Sequence, residues 1–123
     1  MRTAAQQLGA DAEELVASRL GSAGWTILGR NLHVGRAELD ILAIDPAARG
    51  CLVAVEVRWR HRRDFGLPEE TVDRRKLARL RAAVLALRAG AGLTAVPIPR
   101  LPVRVDIVAV EPGGVIRHHR AVG

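Results

Sequence analysis

Two strand-like segments of this chain carry acidic residues inside apolar runs, and they restrict its fold more than any other feature. Residues 36–43 read RAELDILA and residues 52–60 read LVAVEVRWR. An ionised carboxylate is costly to bury unless it is paired, hydrogen-bonded or bound to a cation. If the two strands are neighbours, Asp40 and Glu56 come close together, and a divalent metal ion is the simplest compensating charge. The segments therefore predict a site borne on a sheet.

The spacing of the acids places them on shared strand faces. Side chains alternate along a strand, so Glu38 and Asp40 are expected on one face of the first segment. Glu56 and Arg58 are expected together on one face of the second. Carboxylates that hold Mg²⁺ suit phosphodiester hydrolysis, because the ion activates water and neutralises charge on the phosphate, while a cation such as Arg58 steadies the attacked group. The alternative is a cross-strand ion pair involving Arg58, worth well under ~1 kcal/mol at a surface.

The periodicity along the chain predicts the element order α-β-β-β-α-β, with a further β-strand at the end. The first helix runs from Thr3 to about Leu20 behind a Thr3/Gln6 capping box. The first three strands have connections too short for a crossover helix, which favours an antiparallel meander. The fold class is therefore α/β or α+β, a mixed central sheet flanked by helices. The predicted elements are the strands 25–28, 38–44, 52–59, 103–110 and 115–119 and a second helix from Thr71 or Asp73 to about Arg88, with residues 30–35 as a turn.

Size, charge and composition indicate what kind of molecule the protein binds. The 123 residues fit one domain, 1–123, and the formal net charge of +6 favours a polyanion such as nucleic acid. Aromatic residues make up only 2 % of the chain, which disfavours stacking on single strands and favours duplex or branched DNA. Without a run of ~20 apolar residues or a signal-peptide pattern, we expect no membrane association and a cytoplasmic location.

Short motifs follow one another along nearly the whole chain. In order they are Leu8-Gly9, Glu13-Glu14-Leu15, Gly24-Trp25-Thr26-Ile27-Leu28 with Arg30-Asn31, Glu38-Leu39-Asp40, Val55-Glu56-Val57-Arg58, Phe65-Gly66 with Pro68, Lys76 with Arg79-Leu80, and Arg104-Val105-Asp106. In this order and spacing they resemble the motifs of the bacterial YraN family. That family is regarded as having a restriction-endonuclease-like fold, distantly similar to Holliday junction resolvases.

The resemblance implies a PD-(D/E)xK-type nuclease core that uses Mg²⁺ or Mn²⁺. Asp40 stands at the metal-binding aspartate and Glu56 at the acidic position of the following strand. Glu13 matches a glutamate on the first helix that completes the acidic cluster, and Glu38 matches the acid two residues before the aspartate. Related nucleases often work as dimers, so the resemblance is also compatible with a homodimer.

Two positions depart from the family pattern. Arg58 stands where the pattern has lysine, and Ala37 replaces the usual glycine. Arginine stays protonated at any working pH, so Arg58 cannot take a proton from water, although it can bind a phosphate. Two hypotheses follow: a metal-dependent endonuclease, active on branched or damaged DNA, or a catalytically weak module that only binds nucleic acid. A third is a partner-docking protein that uses an apolar surface around residues 103–110.

Basic residues around the second helix are candidates for contacts with phosphates. Lys76, the only lysine of the chain, is placed to reach the cleft and supply the missing ammonium, or else it is simply a solvated lysine. The other cations either form a phosphate-contacting rim without base specificity or a solvated face. The candidate rim consists of Arg60, Arg62, Arg63, Arg74, Arg75, Lys76, Arg79 and Arg81.

Overall fold

The computed structural model describes residues 2–47, 49–59, 74–90 and 97–120. Two helices and five strands follow the predicted order α-β-β-β-α-β-β, so the predicted fold class is confirmed. The proposed caps Thr71 and Asp73 lie outside the described residues, as do Arg60, Arg62 and Arg63. In chain order the elements are α1 (Ala4–Ser22), β1 (Thr26–Val34), β2 (Ala37–Asp45), β3 (Cys51–Trp59), α2 (Arg74–Arg88), β4 (Val103–Glu111) and β5 (Val115–His119).

The strands form one mixed sheet in the order β1-β2-β3-β4-β5. The pairs β1/β2 and β2/β3 are antiparallel, which confirms the predicted meander. Strands β3 and β4 are parallel, and β4 and β5 are antiparallel. A parallel neighbour needs a crossover connection, and α2 lies in the connection between β3 and β4.

The helices pack on opposite faces of the sheet. Helix α1 begins with the predicted capping box, in which the Thr3 hydroxyl accepts from the Gln6 N–H and the Gln6 side chain accepts from the Thr3 N–H. Successive side chains of a strand point to opposite faces of the sheet, so the central strands contribute to the core on both faces. On the α1 side the buried cluster includes Ala12, Val16, Leu20, Trp25, Ile41, Ala43, Val53 and Val55. On the α2 side it includes Leu42, Leu52, Ala54, Leu77, Leu80, Val84 and Leu87.

Strand β1 corrects one sequence-based expectation. Residues 30–35 were predicted as a turn, but β1 continues to Val34, which pairs with Ala37. The turn is only two residues long and holds Gly35 at a φ of +59°, a conformation that glycine adopts at little cost. The polar residues that suggested a loop lie on an edge strand, where one side of each residue can face water.

Neither of the helices within the described part of the chain has the length and apolar character that a bilayer-spanning helix requires.

Candidate active site

The side chain of Asp40 occupies the point where β2 and β3 part. The ladder between these strands runs from Asp45 and Cys51 to Ile41 and Val55. One residue further, the Asp40 carboxylate replaces the strand backbone as the partner of β3, since its Oδ2 accepts from the Val57 N–H at 2.8 Å. The backbone of β3 therefore fixes this carboxyl in the fork between the strands.

Three carboxyls from three elements meet around this fork. The Asp40 side chain forms hydrogen bonds with Glu13 of α1 and with Glu56 of β3. Burial, followed by the charge of Glu56, raises the pKa of Asp40 to about 8, and burial also raises the pKa of Glu13. Without a bound cation, Asp40 therefore keeps its proton at neutral pH, which allows it to bond to neighbouring carboxylates.

The nearest cation to Glu56 comes from a helix rather than from its own strand. The Lys76 Nζ lies 2.7 Å from Glu56 Oε1, whereas the Arg58 Nε lies 3.7 Å from the same oxygen. Lys76 therefore contacts the acidic cluster as well as solvent. The separation along the chain explains why the sequence could not decide whether Lys76 reaches the cleft or is simply solvated.

Glu38 and Asn31 extend the cluster toward β1. With its amide nitrogen turned toward the acids, Asn31 donates to Glu13 Oε2 at 3.2 Å and to Glu38 Oε1 at 3.3 Å. Asn31 has a φ of +51°, which is uncommon for a residue other than glycine but comparatively tolerated by asparagine. The sequence indicated Asn31 only as part of a motif and did not predict that it belongs to this cluster.

A cleft of about 680 Å³ opens beside the acids, between α2 and the β1–β2 hairpin. The rim residues Arg74 and Arg75 are exposed on α2 but do not belong to the described lining, whereas Lys76 and Arg79 do. The described lining consists of Val34, Gly35, Arg36, Ala37, Glu38, Asp40, Glu56, Lys76, Arg79, Leu80, Ala82, Ala83 and Ala86.

The donors available to a metal ion are carboxylate oxygens. Within residues 2–47, 49–59, 74–90 and 97–120, no set of three or more His, Cys, Asp or Glu side chains is already gathered closely enough to hold an ion. Asp40 and Glu56 together offer the two-carboxylate set that Mg²⁺ commonly uses, with water and substrate phosphate as the remaining ligands.

A second buried acidic cluster lies at the other end of the same strands, and sequence reasoning missed it. Arg104 Nε lies 2.7 Å from Asp106 Oδ1, and its Nη2 lies 2.7 Å from Asp45 Oδ2. His118 Nε2 lies 2.8 Å from Asp106 Oδ2, so β5 also contributes. Asp45 is buried at the end of β2, and His118 is partly exposed.

The charges of this second cluster are matched. Burial opposes ionisation of Asp45, but hydrogen bonds from the Ala47 N–H and Arg104 outweigh it and lower the pKa of Asp45. Hydrogen bonding to Asp106 raises the pKa of Arg104. Nearby Cys51 is partly buried, and its thiol donates to the Pro102 carbonyl at 3.2 Å. Burial raises the pKa of this thiol.

Comparison with known proteins identifies relatives over most of the chain. The chain is 39 % identical over 113 residues to a UPF0102 protein of Acidothermus cellulolyticus, covering 88 % of this chain and 83 % of the relative. It is 37 % identical over 103 residues to a UPF0102 protein of Desulforamulus reducens, covering 84 % and 80 %. A family model described as "Uncharacterised protein family UPF0102" matches residues 12–110. The chain therefore belongs to this family, which is the YraN family that its motifs resemble.

Proposed function

We propose that the protein is a metal-dependent endonuclease that hydrolyses DNA phosphodiester bonds at the fork between β2 and β3. The observation that carries the proposal is the Asp40 carboxyl, fixed by the Val57 N–H and bonded to both Glu13 and Glu56. Crowded carboxyls with a raised pKa concentrate at functional sites, because folding gains nothing from placing like charges together. A divalent cation would relieve this crowding.

In this proposal Asp40 and Glu56 hold Mg²⁺ or Mn²⁺, and Glu13 assists from α1. The ion would supply the Lewis acid that activates water and neutralises charge on the phosphate. Lys76 orients Glu56 through their 2.7 Å contact, and Arg58 offers a permanent positive charge to the phosphate. Asn31, which donates to both Glu13 and Glu38, holds Glu13 at its place in the cluster.

DNA is the proposed substrate because the positive charge lies beside the acids. Lys76 and Arg79 line the cleft itself, and the exposed Arg74 and Arg75 precede them on α2. Such cations bind the phosphates of any sequence, so binding should weaken steeply as the salt concentration rises. Arg60, Arg62 and Arg63 lie outside the described residues and carry no part of the proposal.

The second candidate is a nucleic-acid-binding module with little or no cleavage. The contact between Lys76 and Glu56 favours it, since one oxygen of Glu56 already has a cationic partner. The strand position that carries lysine in the family pattern is Arg58, which cannot accept a proton. Cleavage products decide between the two candidates.

The test is cleavage of branched, nicked and duplex DNA in Mg²⁺ and in Mn²⁺, together with calorimetric titration of the metal ion. We expect metal binding and cleavage by the native chain, and loss of both in Asp40→Asn and Glu56→Gln. Arg58→Lys should cleave faster, because it restores the family's lysine. Metal-independent DNA binding without products would support the binding module.

The matched control is Asp11→Asn. Asp11 is an exposed acid of α1 whose carboxylate accepts from Gln7 at 2.8 Å. This variant should cleave as the native chain does. Equal cleavage by the native chain and by Asp40→Asn would instead identify a contaminating nuclease and contradict the proposal.

A further inference from the structure

The cleft beside the acids has two chemically different ends. Asp40, Glu56 and Lys76 form a charged end, where the proposed chemistry takes place. From Lys76 the wall follows α2 to Ala86, a distance of roughly 15 Å at the rise of an α-helix. Binding of a phosphate through Lys76 and a bound cation would account for the charged end, whereas the remainder of the cleft requires another explanation.

The far end of the cleft is apolar and lined by small side chains. Ala82, Ala83 and Ala86 form the α2 wall, while Val34 and Ala37 form the wall on the hairpin. Phosphate groups gain nothing from such walls, because they would lose their hydration without a polar partner. A planar, weakly polar group of moderate size would gain by leaving water.

Arg36 and Arg79 stand at this same cleft and add positive charge to its apolar walls. The combination of an apolar recess and exposed guanidinium groups matches a nucleotide, which joins an apolar base to an anionic phosphate. A volume of about 680 Å³ lies within the range of pockets that enclose small ligands.

We infer that this cleft binds an unpaired nucleotide adjacent to the phosphate at the acidic cluster, so that the substrate class is DNA with a displaced or unpaired base. The inference rests on the proposed function and specifies its substrate. A continuous duplex keeps its bases stacked and presents only sugar and phosphate, whereas extruding a base costs least where the base is already unpaired. The apolar side chains of this recess offer no hydrogen-bond donor or acceptor to the edge of a base, so the selection does not depend on base identity.

The experiment measures binding rather than cleavage. Fluorescence anisotropy in EDTA compares a duplex that contains one unpaired nucleotide with the fully paired duplex of the same sequence. We expect the native chain to bind the first about tenfold more tightly, which corresponds to ~1.4 kcal/mol. Ala86→Leu, which fills the recess, should reduce the ratio of the two affinities to about one.

Ala89→Leu is the matched control, because Ala89 is exposed just beyond α2 and does not line the described cleft. It should keep the tenfold ratio. If circular dichroism shows that Ala86→Leu is unfolded, Ala82→Leu at the exposed lip of the cleft takes its place.

Equal affinity of the native chain for both DNAs would overturn the inference and would favour an apolar peptide as the occupant of the cleft. A folded Ala86→Leu that keeps the preference would also overturn it. This assay does not measure cleavage. A protein that cleaves no DNA but still prefers the unpaired nucleotide would therefore contradict the proposed nuclease activity and support the binding inference.

Discussion

The two ends of strand β2 carry carboxylates in opposite electrostatic settings: Asp40 is partly buried, whereas Asp45 is fully buried. Asp40 and Asp45 are five residues apart, or roughly 16 Å along the strand. The charged groups that act most strongly on Asp40 are Glu56 and Glu13, both acids, and its pKa is raised. Asp45 shares the Arg104 guanidinium with Asp106, and its pKa is lowered.

This difference separates a carboxylate that stabilises the fold from one that is available for binding. Around Arg104 each acid has a cationic partner at 2.7 Å, so the cluster ties β2 to β4 and needs no ligand. Around Asp40 the folded chain holds acids together at a cost that the partly exposed Lys76 beside Glu56 offsets only in part, and a proton or a further cation would reduce it. Burial of acids alone would not have distinguished the two ends.

The largest expected effect is on stability at the matched end. Arg104→Met leaves Asp45 and Asp106 buried without their shared cation, and it should lower the free energy of unfolding by about 3–5 kcal/mol. Urea denaturation measures the loss. Arg19→Met, at an exposed position of α1, is the control and should change stability by less than ~0.5 kcal/mol. A loss of similar size in both variants would show that the Arg104 cluster has no special role.

At the crowded end, removal of a charge should stabilise the folded protein rather than destabilise it. Asp40→Asn relieves the repulsion from Glu56 and can still accept from the Val57 N–H, so the free energy of unfolding should rise by about 1 kcal/mol near pH 8. Urea denaturation of the metal-free protein measures this change in stability. Asp45→Asn is the contrasting variant and should be destabilised. Destabilisation by both substitutions would remove the distinction between the two ends.

The dependence of stability on pH should also differ between the ends. Asp40 binds its proton more tightly in the folded protein, with a pKa of about 8, than in the unfolded chain, where the value is 3.8. Its contribution to stability is therefore complete below pH 3.8 and is lost as the pH rises toward 8. The pKa of Asp45 is lower in the folded protein than its unfolded value of 3.8. Its contribution to stability is therefore present above pH 3.8 and is lost as the pH falls through the folded pKa.

Denaturation of the metal-free protein across this pH range provides the measurement. Asp40→Asn should flatten the decline between about pH 4 and 8 and leave the acid limb unchanged. An unchanged decline in that variant would show that another group causes it.

The smallest expected effect concerns Lys76, which reaches the crowded end from α2. The Lys76 side chain is 34 % exposed, so solvent screens its pair with Glu56, and Lys76→Met should cost less than ~1 kcal/mol of stability. The same variant should weaken DNA binding measurably, whereas Lys76→Arg should retain it. A loss of about 3 kcal/mol in the free energy of unfolding would show instead that this pair stabilises the fold as the Arg104 cluster does.

Local patterns of the sequence predicted the elements and the strand-borne acids. The capping box at Thr3 and the short connections between the first strands are read within a few residues, and the structure follows them. The predicted alternation of β2 fails at Leu39, which packs with Leu42 on the α2 side rather than with Ile41. The end of β1 could not be predicted in this way, because pairing with β2 rather than the composition of residues 30–35 decides it.

The amino-acid sequence by itself determined the order of the elements, the apolar faces and the presence of Asp40 and Glu56 on adjacent strands, since periodicity is a local property of the chain. Only the tertiary structure decided which charges meet: Glu13 reaches Asp40 from α1, Lys76 reaches Glu56 from α2, and His118 reaches Asp106 from β5. These contacts depend on how distant elements pack across the sheet. The same packing gives one pair of acids a shared guanidinium and leaves the other pair crowded, although both lie on similar strands.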